Sequence, residues 1–107
     1  MDSGTYKVIL APLAIQDLAE AVSYIAADNP RAAERFGRAL INQTKLLSSF
    51  PEIGRFVPEF SPNSGAREII FRSYRIIYRL DHSQKTAEVS RFWHAARGAP
   101  EIPAYGE

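Results

Sequence analysis

The sequence predicts an α+β domain with the element order β-α-α-β-β-β, in which an antiparallel helix hairpin packs on one face of a mainly antiparallel sheet. Three observations lead there. An alternating apolar run opens the chain, two stripes of helical period follow across a short turn, and three β-rich runs joined by tight turns close it. Length bounds the rest, since 107 residues make one domain with one modest core. With 46% hydrophobic and 23% charged residues, the composition is that of a globular chain.

In the first run Tyr6, Val8 and Leu10 alternate with Lys7 and Ile9, which predicts a strand over 5–11. Pro12 ends that strand and suits the first turn of a helix. From Leu13 the period changes. Ile15, Leu18, Val22 and Ile25 fall at spacings of three, four and three, one apolar stripe, and Gln16, Asp17, Glu20 and Ser23 are expected on the wet side. Asp28-Asn29-Pro30 punctuates the chain, with Asn29 able to cap a helix whose first position is Pro30. That second helix runs to about Ser49, is stopped by Pro51 and Gly54, and is roughly 30 Å long. Its core stripe is Ala33, Phe36, Leu40 and Leu47, with Phe36 and Leu40 expected against Ile15, Leu18 and Val22.

Gly54 to Gly65 reads as a loop, with Pro58, Pro62 and Asn63-Ser64-Gly65. Strands are then expected over Ala66–Arg72 and Tyr74–Asp81, with Ser73 as the turn between them. Asp81-His82-Ser83-Gln84 forms the next turn, and the last strand runs from Lys85 to about Ala95. The domain is expected over 1–97, followed by a Pro/Gly-containing tail over 98–107.

The absence of cysteine excludes disulfides, zinc thiolates and Cys nucleophiles. No run approaches the ~18 apolar residues of a membrane span, and the polar, acidic opening Met1-Asp2-Ser3-Gly4-Thr5 is unlike a secretory signal. A cytoplasmic protein with no membrane partner is expected. The net charge of +1 hides an asymmetry. Residues 66–97 hold seven basic and three acidic residues, against six and nine elsewhere, so one basic surface facing phosphates or acidic partners is expected. A second stripe, Arg31, Arg35, Arg38, Asn42 and Lys45, fits either nucleic acid or a solvated helix face, partly paired by Glu34 with Arg38.

Several short motifs occur in a telling order: Ala14-x-x-Asp17-Leu18, Tyr24-Ile25, Asn29-Pro30-x-Ala32-Ala33, Pro51-x-x-Gly54-Arg55-x-Val57-Pro58-Glu59, Arg67-Glu68-Ile69, Tyr74-Arg75-Ile76-Ile77-Tyr78-Arg79 and His94-Ala95-Ala96-Arg97. Over about residues 5 to 97 this set resembles the RelE/ParE superfamily of bacterial type II toxins. The resemblance implies a small toxin neutralised by a cognate antitoxin. It offers two mechanisms: RelE-like members cut mRNA on the ribosome, whereas ParE-like members act on DNA gyrase. The long helix pair, Gly54-Arg55-x-Val57-Pro58-Glu59 and His94-Ala95-Ala96-Arg97 look more ParE-like. A third reading is an inactive solitary member that keeps only the fold.

If the chain is an enzyme, it is a metal-independent endoribonuclease without cofactors. Such chemistry needs a base for the 2′-hydroxyl, a cation for the developing phosphorane charge and an acid for the leaving 5′-oxygen. Glu59, Arg75 and His94 are the candidates, and they match the positions that fill these roles in nuclease relatives. Arg67, Arg79, Arg91 and Arg97 are candidate binding residues. The lysine-dense site of RelE itself is missing, because Lys85 is the only lysine after residue 45, and Ala95 rather than tyrosine follows His94. Each residue also has a structural alternative. His94 can bond a backbone carbonyl, Arg75 can pair with Glu68 or Glu88, Glu59 can be solvated, and Tyr74 and Tyr78 share parity with core positions. Arg67 and Glu68 alternate on a regular strand and cannot both face one groove.

Overall fold

Both helices begin on a proline. In the structure, a computed structural model that describes residues 5–102, α1 spans Pro12–Ala26 and α2 spans Pro30–Ser49. Proline suits this position because its missing N–H would have no partner in a first turn. Asn29 caps α2 as its sequence suggests, its side-chain oxygen accepting from the Ala32 N–H at 3.0 Å. The link between the helices is so short that they lie antiparallel, with Val22 against Gly37, where an added Cβ would come within 3.2 Å of the valine methyl.

Five strands form one sheet in the order β1-β5-β4-β3-β2: β1 Lys7–Leu10, β2 Arg55–Phe56, β3 Arg67–Phe71, β4 Tyr74–Asp81 and β5 Thr86–His94. The last three pair antiparallel through their two turns, while β1 runs parallel to β5. Two single-turn 3₁₀ segments, Pro62–Ser64 and Ala95–Arg97, complete the path. The fold is the α+β hairpin-on-sheet arrangement expected from the sequence, with one addition. The stretch 54–65 was expected as loop throughout, yet Arg55 and Phe56 pair with Glu68 and Arg67 to make the edge strand β2. Two residues are too few to carry a periodicity.

Cross-strand partners share a face, which sorts the sheet. Ile69, Phe71, Tyr74, Ile76, Tyr78, Val89 and Phe92 face the helices, where Leu40 and Leu47 are fully buried. Ile77 and Trp93 point the other way, into a smaller cluster with Val57, Ala66, Phe60 and Ile102. The second face is therefore also covered, by the 57–66 segment and by chain beyond Arg97. The parity of β5 changes at Ser90, because Tyr78 pairs with Val89 while Ile77 pairs with Arg91. This bulge lets Val89 and Phe92 both face the helices. The expected tail has no helix or strand over 98–102, where Pro100 is buried; Pro103 to Glu107 lie outside the described residues, as do Met1 to Gly4.

The stripe on α2 is as expected, with Ala33, Phe36, Leu40, Thr44 and Leu47 buried. On α1 the phase differs. The buried positions are Ala14, Asp17 and Ala21, while Ile15 is 53% exposed and Leu18 and Val22 are partly buried. Two corrections follow: Ile15 does not pack under Phe36 and Leu40, and Asp17 is not on the wet side. Small residues face inward because α1 lies close to β5, and Asp17 is drawn in by a partner distant in sequence. Among the described residues no helix is long and apolar enough to cross a membrane.

Candidate functional site

A chain of four ionised side chains lies on the sheet face turned away from the helices. Glu68 on β3 is fully buried, and each of its oxygens meets an arginine: Oε2 accepts from Arg55 Nε at 2.8 Å and Oε1 from Arg75 Nε at 2.7 Å. The two terminal nitrogens of Arg75 then donate to both oxygens of Glu59 at 2.9 and 2.6 Å. All three guanidinium nitrogens of Arg75 are thus taken by carboxylates, and the residue is 8% exposed. Paired forks of this kind are the strong form of the arginine–carboxylate bond. Of the two partners considered for Arg75, the structure uses Glu68; Glu88 stands opposite Arg79 instead.

His94 lies on the opposite face of the sheet. Along β4, Tyr74 and Arg75 are neighbours and point to opposite sides, and His94 is the partner of Tyr74, whereas Trp93 is the partner of Arg75. The His94 ring stands edge-on to Tyr74, with centroids 4.9 Å apart. Its Nδ1 accepts from the Ala96 N–H at 3.1 Å, so the histidine meets a backbone amide rather than a carbonyl and the neutral ring carries its proton on Nε2. The three residues proposed for RNA cleavage therefore divide, with Glu59 and Arg75 together and His94 across the sheet.

The binding arginines also divide. Arg91 is 9% exposed and grips Asp17 with two nitrogens at 2.7 and 2.9 Å, while its third donates to the Glu101 carbonyl at 2.8 Å. The same Asp17 carboxylate accepts the Phe92 N–H, on the edge of β5 left uncovered where β1 ends at Leu10. Arg67 donates to the carbonyls of Gly54 and Glu52 and lies over the Phe56 ring at 4.3 Å. Arg79 faces a hollow with Ile9, Leu80 and Glu88. Arg97 is exposed and lies over Trp93 at 4.0 Å. The basic surface expected from 66–97 is smaller than the charge count suggests, because Arg75 and Arg91 are internally neutralised.

Gly54 holds the network in register. Its N–H donates to the Tyr78 hydroxyl at 2.9 Å, and that hydroxyl donates to the Pro51 carbonyl at 2.7 Å. A Cβ here would meet the Glu68 carbonyl at 2.7 Å, so only glycine allows the two backbones this close. Burial pushes the Tyr78 hydroxyl above the usual tyrosine range. The hydrogen bonds from Arg75 hold Glu59 below its ordinary value of 4.5.

A carboxylate lowered in this way adds stability that is complete above its unfolded pKa and disappears as pH falls through the folded one. Glu59→Gln should accordingly melt below the parent at about pH 6, with the gap closing toward about pH 3 in thermal melts followed by circular dichroism. A gap of constant size across that range would mean that the charge of Glu59 does not support the fold.

Comparison with known proteins places this geometry. A family profile described as the ParE toxin of the type II toxin–antitoxin system, parDE, matches residues 8–98. No curated protein matches the sequence. Among solved structures, a chain of the chromosomal ParDE toxin–antitoxin system from P. aeruginosa is similar at a TM-score of 0.71 and 19% identity, over 86% of this chain and 98% of that one. A chain of the RelBE2 toxin–antitoxin complex from Mycobacterium tuberculosis is similar at 0.62 and 21%, over 86% and 93%. At such identities the two structures share the fold.

Proposed function

This chain belongs to the ParE toxin family of type II toxin–antitoxin systems, and from that premise we propose that it inhibits growth by binding DNA gyrase, without cutting RNA, until a cognate antitoxin neutralises it. A type II toxin is what the family match supports, and both solved relatives come from toxin–antitoxin systems.

One observation supports protein binding over RNA chemistry. Arg75, the candidate phosphate clamp, has every nitrogen on a carboxylate, and His94, the candidate acid, stands on the other face of the sheet. An in-line transfer needs base, clamp and acid around one phosphate, each within hydrogen-bond reach.

The test is to induce the chain in bacteria and score DNA damage against site-specific mRNA cleavage. Damage without cleavage is expected, and a folded His94→Ala variant should remain toxic. If His94→Ala folds yet loses toxicity together with mRNA cleavage, typically a 10²–10⁴-fold loss for a missing general acid, the ribonuclease reading replaces this one.

A further inference from the structure

Exposed arginines stand on α2 as well as beside the sheet, and two of the latter come together at one place. Arg72 and Arg97 are exposed, and neither has an ion pair with a described carboxylate. Each guanidinium lies over an aromatic ring, Arg72 over Phe71 at 4.8 Å and Arg97 over Trp93 at 4.0 Å, which steadies it. The backbone brings the two together, since the Ala95 N–H donates to the Ser73 carbonyl at 2.8 Å and ties the β3–β4 turn to the end of β5.

Between them lies a groove under the C-terminal half of α1. It consists of two adjoining hollows of about 330 and 260 Å³ that share Tyr24, Tyr74 and His94 in their walls, with Arg97 lining one and Arg72 the other. Together they reach the size of an ordinary small-ligand site. Tyr24 is 84% exposed and belongs to the walls of both hollows. Nδ1 of His94 is occupied by Ala96, so Nε2–H is the donor left to a ligand. Two carboxylates also line the first hollow. Asp17 is neutralised by Arg91, and Glu20 accepts from the Gln16 amide at 3.3 Å and lies within the electrostatic reach of Arg91.

Arg72 occupies this place at a cost. Its φ of 56° lies in the left-handed region, at the first central position of the two-residue turn, where glycine is the unstrained residue. Lys85 shares this conformation in the next turn, and what sets Arg72 apart is the hollow that its side chain lines.

We propose that this groove binds single-stranded nucleic acid, with one base stacked on Tyr24 and Tyr74, and the flanking phosphates on Arg72 and Arg97. Aromatic faces beside backbone-directed cations are the recurring means of holding unpaired bases without reading sequence. A duplex would keep its bases stacked away from Tyr24, so a single strand is the form that fits. This binding is independent of the gyrase reading, which concerns a protein target.

The test is fluorescence anisotropy of the full chain with a labelled oligothymidylate of about ten nucleotides, at about 50 mM salt. Tyr24→Ala should weaken binding by about 5- to 100-fold, the effect of one lost base stack, and Tyr24→Phe should restore it. Arg72→Gly and Arg97→Ala should each flatten the log–log salt slope by about 0.7. Arg72→Gly relieves its backbone, so its melting temperature should hold or rise, which separates lost binding from lost fold. Arg38→Ala, on the outer face of α2, should bind as the parent does. The proposal is overturned if the oligonucleotide does not bind, if Tyr24→Ala binds unchanged, or if polyglutamate competes as well as DNA, because the site would then be a charge patch for acidic protein.

Discussion

Asp17→Ala should destabilise the fold by about 3–5 kcal/mol, the cost of leaving a buried charge without its partner. A domain of this size has about 5–15 kcal/mol in total, so the variant should lose roughly between a fifth and nearly all of its stability. Three bonds are lost at once: two from the Arg91 guanidinium and one from the Phe92 N–H. Arg91 would keep the Glu101 carbonyl but have no countercharge. Replacing both ions should be far milder than removing one, so Asp17→Leu with Arg91→Met should recover much of the loss. Urea denaturation of the three proteins checks this. A double variant no more stable than Asp17→Ala would show that the pair acts through its hydrogen bonds rather than its charges.

Leu40→Ala should lower stability by about 2–5 kcal/mol. Leu40 is fully buried on α2, in the cluster with Ile76, Tyr78, Val89 and Phe92. The sheet beneath is held by its ladder and cannot sink into the space, so the cavity would remain and its lining would lose contacts. The urea midpoint should fall with the slope unchanged, and Leu40→Met, which conserves volume, should cost less than about 1.5 kcal/mol. A small loss for Leu40→Ala would mean that α2 settles onto the sheet.

Most of this architecture was readable from local chemistry, because proline and asparagine marked the helix starts and alternating isoleucines and tyrosines marked the strands. What escaped depended on partners far apart in the chain. Asp17 reads as a solvent residue until Arg91, 74 positions later, is brought against it. Glu68 is expected as a partner for Arg75, but not for Arg55, which the unexpected strand β2 brings to its other oxygen. The apolar stripe on α1 suggested Ile15, yet the closeness of α1 to β5 favours the alanines at 14 and 21. At the candidate site the sequence named Glu59, Arg75 and His94, and strand parity together with the register separates them. For Arg75 the sequence offers Glu68 as a partner, whereas nothing near Arg91 in the chain points to Asp17.

The parallel pairing of β1 with β5 has a consequence for how the molecule is made. Lys7 sits beside Thr86 and Leu10 beside Val89, so the first strand finds its neighbour only after both helices and three further strands have been synthesised. Contacts this distant in sequence form slowly, because a long loop must close before they bring any gain. Until then the inward stripe of α2, Phe36 to Leu47, has only the β3–β4 hairpin to cover it and is partly a surface for aggregation or for a binding partner. A chain stopped before Thr86 would lack the strand bonded to both β1 and β4, and so would have no neighbour for β1 and no complete floor under the helices. Assembly of this protein therefore waits on its last strand.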